Sequence, residues 1–382
     1  MNTIEVQETV KKVLGELQRA KSSEPVVGVG MGIFEDINEA IQAAKVAQEE
    51  LRVMPLEFRE KIIARIREKI MANKEKLAEM AVHETGMGRV SHKILKHELV
   101  AKKTPGTECI DITAWTGDQG LTLIERGPFG VIGAITPSTN PSETVFCNAI
   151  GMIASGNSVV FNSHPNAAKT SNFAVQLVNE AAVEVGNLPN LVTTVAKPTA
   201  ESGNILFKHS DISLLVATGG PGVVKAILQS GKRGIAAGAG NPPVLVDETA
   251  NIRKAAADIV NGATFDNNLP CIAEKEVIVV NEVADALVTY MREENDCYML
   301  QDEEIERLAK TVLVEKNGKY IINREFVGRD ASVILKAIGI NAPESIRCII
   351  FEAPKDHILV VEELMMPILG IVRVDNVEEG IK

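Results

Sequence analysis

At 382 residues, with 45% hydrophobic and 24% charged side chains, the chain has an ordinary globular composition and enough length for two cores rather than one. Its formal charge of −11 opposes a phosphate backbone, it lacks an unbroken apolar run long enough to span a bilayer, and its five cysteines are odd in number with no CxxC pair. These features exclude disorder and argue against nucleic acid, membrane, disulfide-framework and metal-site readings. With no basic and apolar leader pattern at the start, a cytoplasmic protein is expected.

Taken in chain order, residues 1–20 come first. Val6, Val10, Val13, Leu14 and Leu17 recur at steps of three and four, opposite Glu5, Glu8, Lys11, Lys12 and Glu16. That pattern predicts an amphipathic helix. The Lys-Ser-Ser-Glu-Pro stretch after it reads as a flexible break, so the helix is either an appendage or a segment packed on its own domain. Helical periodicity then covers 36–51 and 55–84, with Gly86 and Gly88 closing the second helix. Apolar runs at 121–124 and 131–135, parted by a Gly-Pro turn, read as strands.

From there helices near 142–155, 167–185, 200–208 and 222–230 alternate with strands at 158–161, 191–195 and 213–217. Strands separated by helices imply right-handed crossovers and a parallel sheet covered on both faces. The prediction is an α/β, doubly wound dinucleotide-binding domain over 21–235. The alternation resumes with a helix near 250–264, a strand at 276–280, a helix near 282–294 and strands near 347–351 and 358–361. This predicts a second α/β domain, 236–382, facing the first across a cleft.

Chemistry concentrates at the strand ends. Cys271 follows Pro270 at the end of one periodic helix, five residues before a strand, where a thiol can project into a cleft. A lone cysteine is more often a small buried hydrophobe. Ser138, Thr139, Asn140 and Pro141 follow the strand at 131–135, at the edge where open α/β sheets place their ligands. An asparagine amide there can donate to an oxyanion, although most Asn-Pro pairs are only turns. Ala217 to Val224, with Gly219 and Gly220, again reads strand, glycine turn, helix, which suits a pyrophosphate. It lacks the GxGxxG spacing. The glycines at 28–32 open no helix in the required context and carry little functional weight. His164, after the strand at 158–161, suits a lining residue or a hydrogen-bonded turn residue.

Together the segments HETGMG (83–88), GPFGVIGAITPSTNPSET (127–144), SGNSVVFNSHPNA (155–167), ATGGPGVV (217–224), AGAGNPPVLVD (237–247), NNLPCIAEKE (267–276) and EELMMPILGIVRV (362–374) resemble the aldehyde dehydrogenase superfamily. The specific likeness is to its CoA-acylating propionaldehyde and acetaldehyde branch, over nearly the whole chain from about residue 30.

The resemblance implies that Cys271 is the nucleophile and that Asn140, with the Cys271 backbone N–H, forms the oxyanion hole. It places Thr136, Pro137, Ser138, Asn162, Ser163, His164, Gly219, Gly220, Gly238 and Glu363 along an NAD site, with coenzyme A as co-substrate. Hydrolytic relatives carry a general-base glutamate where this chain has Ala237, and a cofactor-ribose lysine where it has Asn162. Loss of the base implies that an acyl-cysteine is released to CoA, since a thiol exchanges with a thioester at little thermodynamic cost. The resemblance further implies a homo-oligomer, a domain 236–382 shorter than usual at its C-terminal side, and a helix at 1–20 that docks on a microcompartment shell protein. An acyl-phosphate reductase of the same fold, or an inactive shell-binding or assembly partner, are the alternatives.

Overall fold

Local chemistry starts the first helices. In the computed structural model, which describes residues 30–382 with Asn317 excepted, helix Ile37–Arg52 begins where the Asp36 carboxylate accepts from the amides of Asn38 and Glu39. Such a cap contributes about 1 kcal/mol. Helix Leu56–Thr85 follows Pro55 and stops at Gly86, whose φ of 69° is the left-handed value glycine takes without a Cβ penalty. The expected helix within 1–20 lies outside the described residues.

A further helix, Val90–Lys103, has no counterpart in the periodicity reading. Its buried face includes Lys93, Lys96 and His97, so a search for apolar stripes passes over it.

The strands are β1 (Ile33–Phe34), β2 (Thr113–Gly117), β3 (Gly120–Ile124), β4 (Val131–Thr136), β5 (Ser158–Ser163), β6 (Val192–Val195), β7 (Ile212–Thr218), β8 (Gly234–Ala237), β9 (Pro243–Val246), β10 (Glu276–Val280), β11 (Cys297–Met299), β12 (Leu313–Lys316), β13 (Lys319–Ile322), β14 (Cys348–Glu352) and β15 (Ile368–Val374). A six-stranded sheet runs in the order β1-β6-β5-β4-β7-β8, and a five-stranded sheet in the order β11-β14-β15-β10-β9. Every pairing within these two sheets is parallel. The fold is therefore α/β with a doubly wound parallel sheet, as the alternation predicts. β4 is buried along nearly its whole length, as befits a parallel strand with helices on both faces.

Strand order reverses at β4, which has β5 on one side and β7 on the other. The carboxyl ends of β4 and β7 thus flank a topological switch point, the crevice where open α/β sheets bind ligands. The first sheet continues to Ala237, so the expected boundary at 235/236 cuts through β8.

Two segments differ from expectation. The run at 121–124 stays out of the main sheet and pairs antiparallel with β2 as a fully exposed hairpin. The run at 358–361, expected as a strand, is a single helical turn, Ile358–Val361, begun by His357, whose Nδ1 accepts the Leu359 amide. The strand instead is β15, which lies between β14 and β10 and is buried at six of its seven positions. Short apolar runs fit either element, and burial between two neighbours decides the outcome.

Candidate active site

The loop that carries Cys271 is built from unusual backbone. After helix Ile252–Ala263, Asp266, Asn267 and Asn268 have φ values of 49°, 54° and 65°. Asp and Asn tolerate this left-handed region best among residues with a Cβ. Side-chain bonds then hold each one. Asp266 Oδ1 accepts the Arg89 amide at 2.8 Å. Asn267 Nδ2 donates to Gly328 O and Asp330 Oδ1, both at 2.9 Å. Asn268 Nδ2 donates to Ala263 O at 2.8 Å and Glu274 O at 2.9 Å.

Three residues further on, Cys271 is exposed to solvent. The segment between β8 and β9 passes directly against it, because a Cβ on Gly240 would lie 2.7 Å from the Cys271 carbonyl oxygen. Only glycine allows that approach.

Lys275 lies beneath this loop. Its ammonium donates to Asn268 O at 2.9 Å and Asn268 Oδ1 at 2.6 Å, and stands 3.9 Å from Glu363 Oε1. Burial lowers the lysine to about 8, against the opposing pull of Glu363 and Cys271. Burial also raises the Glu363 carboxyl, partly offset by Lys275 and by the Gly240 amide that it accepts. Glu363, Gly240, Lys275 and Cys271 are therefore one cluster. Ala237, the last residue of β8, offers no carboxylate.

Asn140 occupies the N-cap position of helix Pro141–Ala154 without a side-chain capping bond, and Pro141 sits in the first turn, where its missing N–H costs nothing. Lys96 donates to Asn140 Oδ1 at 2.6 Å, and also reaches Asp266 Oδ2 at 2.6 Å and Glu143 Oε1 at 3.1 Å. Lys93 reaches Asp266 Oδ2 at 3.1 Å and the Thr139 carbonyl at 3.2 Å. Burial works against the charges on Glu143, Lys93 and Lys96. The Glu143 carboxyl nonetheless falls to about 2 beside Lys96, His97 and Lys93. Lys96 is raised because Glu143 and Asp266 outweigh its desolvation.

The expected cofactor residues other than Glu363 gather at the carboxyl ends of β4, β5, β7 and β8. Thr136 and Ser163 face each other in register, and both hydroxyls are buried without a hydrogen-bond partner. Pro137 and Ser138 follow, half-buried. The His164 amide donates to Thr136 O at 3.1 Å, and burial lowers the pKa of its ring. Gly219 donates its amide to Ala237 O, and Gly220 begins helix Pro221–Gln229 with open space where a Cβ would stand. Gly238 sits against Val224. Unpartnered hydroxyls beside a glycine-opened helix, at the switch point, suit a dinucleotide.

Asn162 stands apart from this group in one respect. Its amide is engaged with protein, donating to Thr199 O at 3.2 Å and accepting from Ser202 Oγ at 2.6 Å. Gly32 in the early glycine cluster has a packing reason, since a Cβ there would lie 2.2 Å from Asn179 Nδ2.

Lys96, Lys93, Asp266 and Lys275 are the residues that sequence reasoning missed. The lysines sit in segments rich in charge. The one local signal is Asp266-Asn267-Asn268, a run of three residues suited to left-handed backbone.

A model of the aldehyde dehydrogenase family matches residues 9–382. An acetylating acetaldehyde dehydrogenase of Salmonella typhimurium is 48% identical over 385 residues, covering 100% of this chain and 81% of that protein. A propionaldehyde dehydrogenase from the fucose utilisation bacterial microcompartment of Clostridium phytofermentans superposes with a TM-score of 0.89 at 60% identity, covering 92% of this chain and 80% of the other. A propionaldehyde dehydrogenase of Rhodopseudomonas palustris, solved with bound CoA and an acylated cysteine, superposes with a TM-score of 0.88 at 48% identity, covering 92% and 80%.

Proposed function

This chain belongs to the aldehyde dehydrogenase family, and we propose that it converts a short aliphatic aldehyde, propanal or acetaldehyde, with NAD+ and CoA into acyl-CoA and NADH. The Cys271 thiolate attacks the aldehyde carbon and forms a thiohemiacetal. Asn140 Nδ2 and the Cys271 backbone N–H donate to the oxygen as it gains charge, in a site where such donors are worth far more than in water. The nicotinamide, when bound, accepts the hydride. Thr136, Ser163 and the glycines at 219, 220 and 238 orient it from the switch point. The product on the protein is an acyl thioester at Cys271.

The observation that carries this reading is Cys271 itself, an exposed thiol on a braced loop, faced by a segment whose Ala237 offers no carboxylate to activate water. Water needs a positioned base to attack a thioester, whereas a CoA thiol with intrinsic pKa of about 8.5 exchanges readily. Support also comes from the Rhodopseudomonas enzyme, solved with bound CoA and an acylated cysteine. NADH formation from aldehyde and NAD+ is expected to require CoA beyond the first turnover. Sustained NADH production without CoA would overturn the acylating assignment.

Residues 1–20 are the proposed docking element for a microcompartment shell protein through their Val and Leu stripe. The relative named for a microcompartment supports this. Deleting 1–20 is expected to abolish co-sedimentation with assembled shells while leaving solution turnover within about twofold, a ratio near the measurement error of such assays. Undiminished co-sedimentation would reject it.

A further inference from the structure

Lys96 joins three elements that are distant in sequence. It projects from helix Val90–Lys103 onto Asn140, at the carboxyl edge of the first sheet, and onto Asp266, in the loop that leads to Cys271. Its side chain is 9% exposed, and those of Asp266 and Glu143 are 0% and 6% exposed. An ammonium has three N–H donors and no acceptor, and here it donates to Asn140 Oδ1 at 2.6 Å while Asp266 Oδ2 and Glu143 Oε1 stand at ion-pair distance, 2.6 and 3.1 Å.

The consequence for Asn140 is directional. A primary amide can rotate by half a turn at little cost in shape, exchanging its oxygen for its amino group. Rotation here would set an NH2 against an ammonium, donor facing donor in a buried place, and leave Lys96 one bond short. The amino group is therefore held on the side away from Lys96. Among the described residues it meets only Thr139 Oγ1, at a long 3.3 Å. That leaves donor capacity for a substrate oxygen.

We infer that Lys96 is a positioning residue for the reaction: it fixes the amide orientation of Asn140 and, through Asp266, sets that amide in register with the loop bearing Cys271. The inference rests on the reading of Asn140 as an oxyanion donor. Lys93 supports the arrangement from the neighbouring turn by holding the Thr139 carbonyl and the same Asp266 oxygen. The groups facing Lys96 from the packed elements are Glu143, Asp266, Lys93 and His97. Lys93, Lys96, Asp266 and Glu143 carry two charges of each sign, so deleting Lys96 alone leaves an anion in excess.

The test is a double-mutant cycle on the full chain, read as steady-state kcat with aldehyde, NAD+ and CoA, alongside the NAD+ dissociation constant by fluorescence titration. Asn140→Ala is expected to lower kcat by on the order of 100-fold. Lys96→Met is expected to lower it by about 10-fold to 100-fold, with NAD+ affinity changed less than about twofold. The double variant should be no slower than Asn140→Ala, because Lys96 acts through that amide.

Multiplying losses in the double variant would overturn the inference, as would full kcat in Lys96→Met with Asn140→Ala slow. Unchanged kcat in Asn140→Ala would remove the oxyanion reading and this inference together. Should Lys96→Met fail to fold, Lys96→Met with Glu143→Gln removes one charge of each sign. The same cycle against Asn140→Ala, referred to Glu143→Gln alone, then decides.

Discussion

Cys271→Ala is expected to abolish acyl-CoA formation, lowering kcat by on the order of 10⁴-fold or more, the scale seen when a covalent nucleophile is removed. NAD+ affinity should stay within about twofold and stability within about 0.5 kcal/mol, the range of an exposed substitution. Structural reasons separate these effects. The side chain is exposed, and the close approach of Gly240 is to the Cys271 backbone oxygen, which alanine keeps. The loop's bonds come from residues 266–268 and Lys275, none of which uses the thiol as a partner. Intact mass of the protein after incubation with aldehyde and NAD+ but no CoA gives the second readout. The parent should gain one acyl group and the variant none. A variant that retains a tenth of the parent rate, or that gains the adduct, would take Cys271 out of the mechanism.

Much of the fold was legible because the first sheet is buried on both faces. Strands of that kind read as short apolar runs, and Gly and Pro bound the runs at 127–130, 156 and 219–221. The strand ends therefore located Ser138, Asn140, His164 and Gly220 at one edge without any knowledge of side-chain geometry. Cys271 was legible for a different reason: its position between a helix end and a strand made it only a candidate, and the resemblance of NNLPCIAEKE (267–276) to the aldehyde dehydrogenase superfamily made it the nucleophile.

What stayed hidden are contacts between polar residues far apart in sequence. Lys93 and Lys96 reach Asp266 across about 170 positions, and nothing in their local surroundings marks them as buried. Burial of a charged residue depends on a partner that pairing alone supplies. Helix Val90–Lys103 was missed for the same reason, because the face it buries carries lysine and histidine. The exposed hairpin of β2 and β3 inverts the problem. Leu121, Leu123 and Ile124 look like core residues in the sequence, yet they are exposed in the chain as it stands alone.

Asp266→Asn isolates the charge that binds the nucleophile loop to the rest of the site. Asparagine matches aspartate in volume and is at least as tolerant of the φ of 49° found there, so neither packing nor backbone strain changes. Oδ1 accepts the Arg89 amide at 2.8 Å, while Oδ2 accepts Lys93 at 3.1 Å and pairs with the Lys96 ammonium 2.6 Å away. The substituted NH2 must face either a backbone N–H or two ammonium groups, and cannot satisfy them. Glu143 is then the remaining anion beside two buried cations. Breaking such a buried pair costs about 3–5 kcal/mol. Urea unfolding should therefore show a drop in stability of about that size, larger than that of any single exposed ion pair, whose worth is about 0–1 kcal/mol. Folded variant should also turn over slowly, because Asp266 sets the loop three left-handed residues long that delivers Cys271. A stability change below about 1 kcal/mol would mean that solvent relaxes into the cluster and that the four charges are individually dispensable.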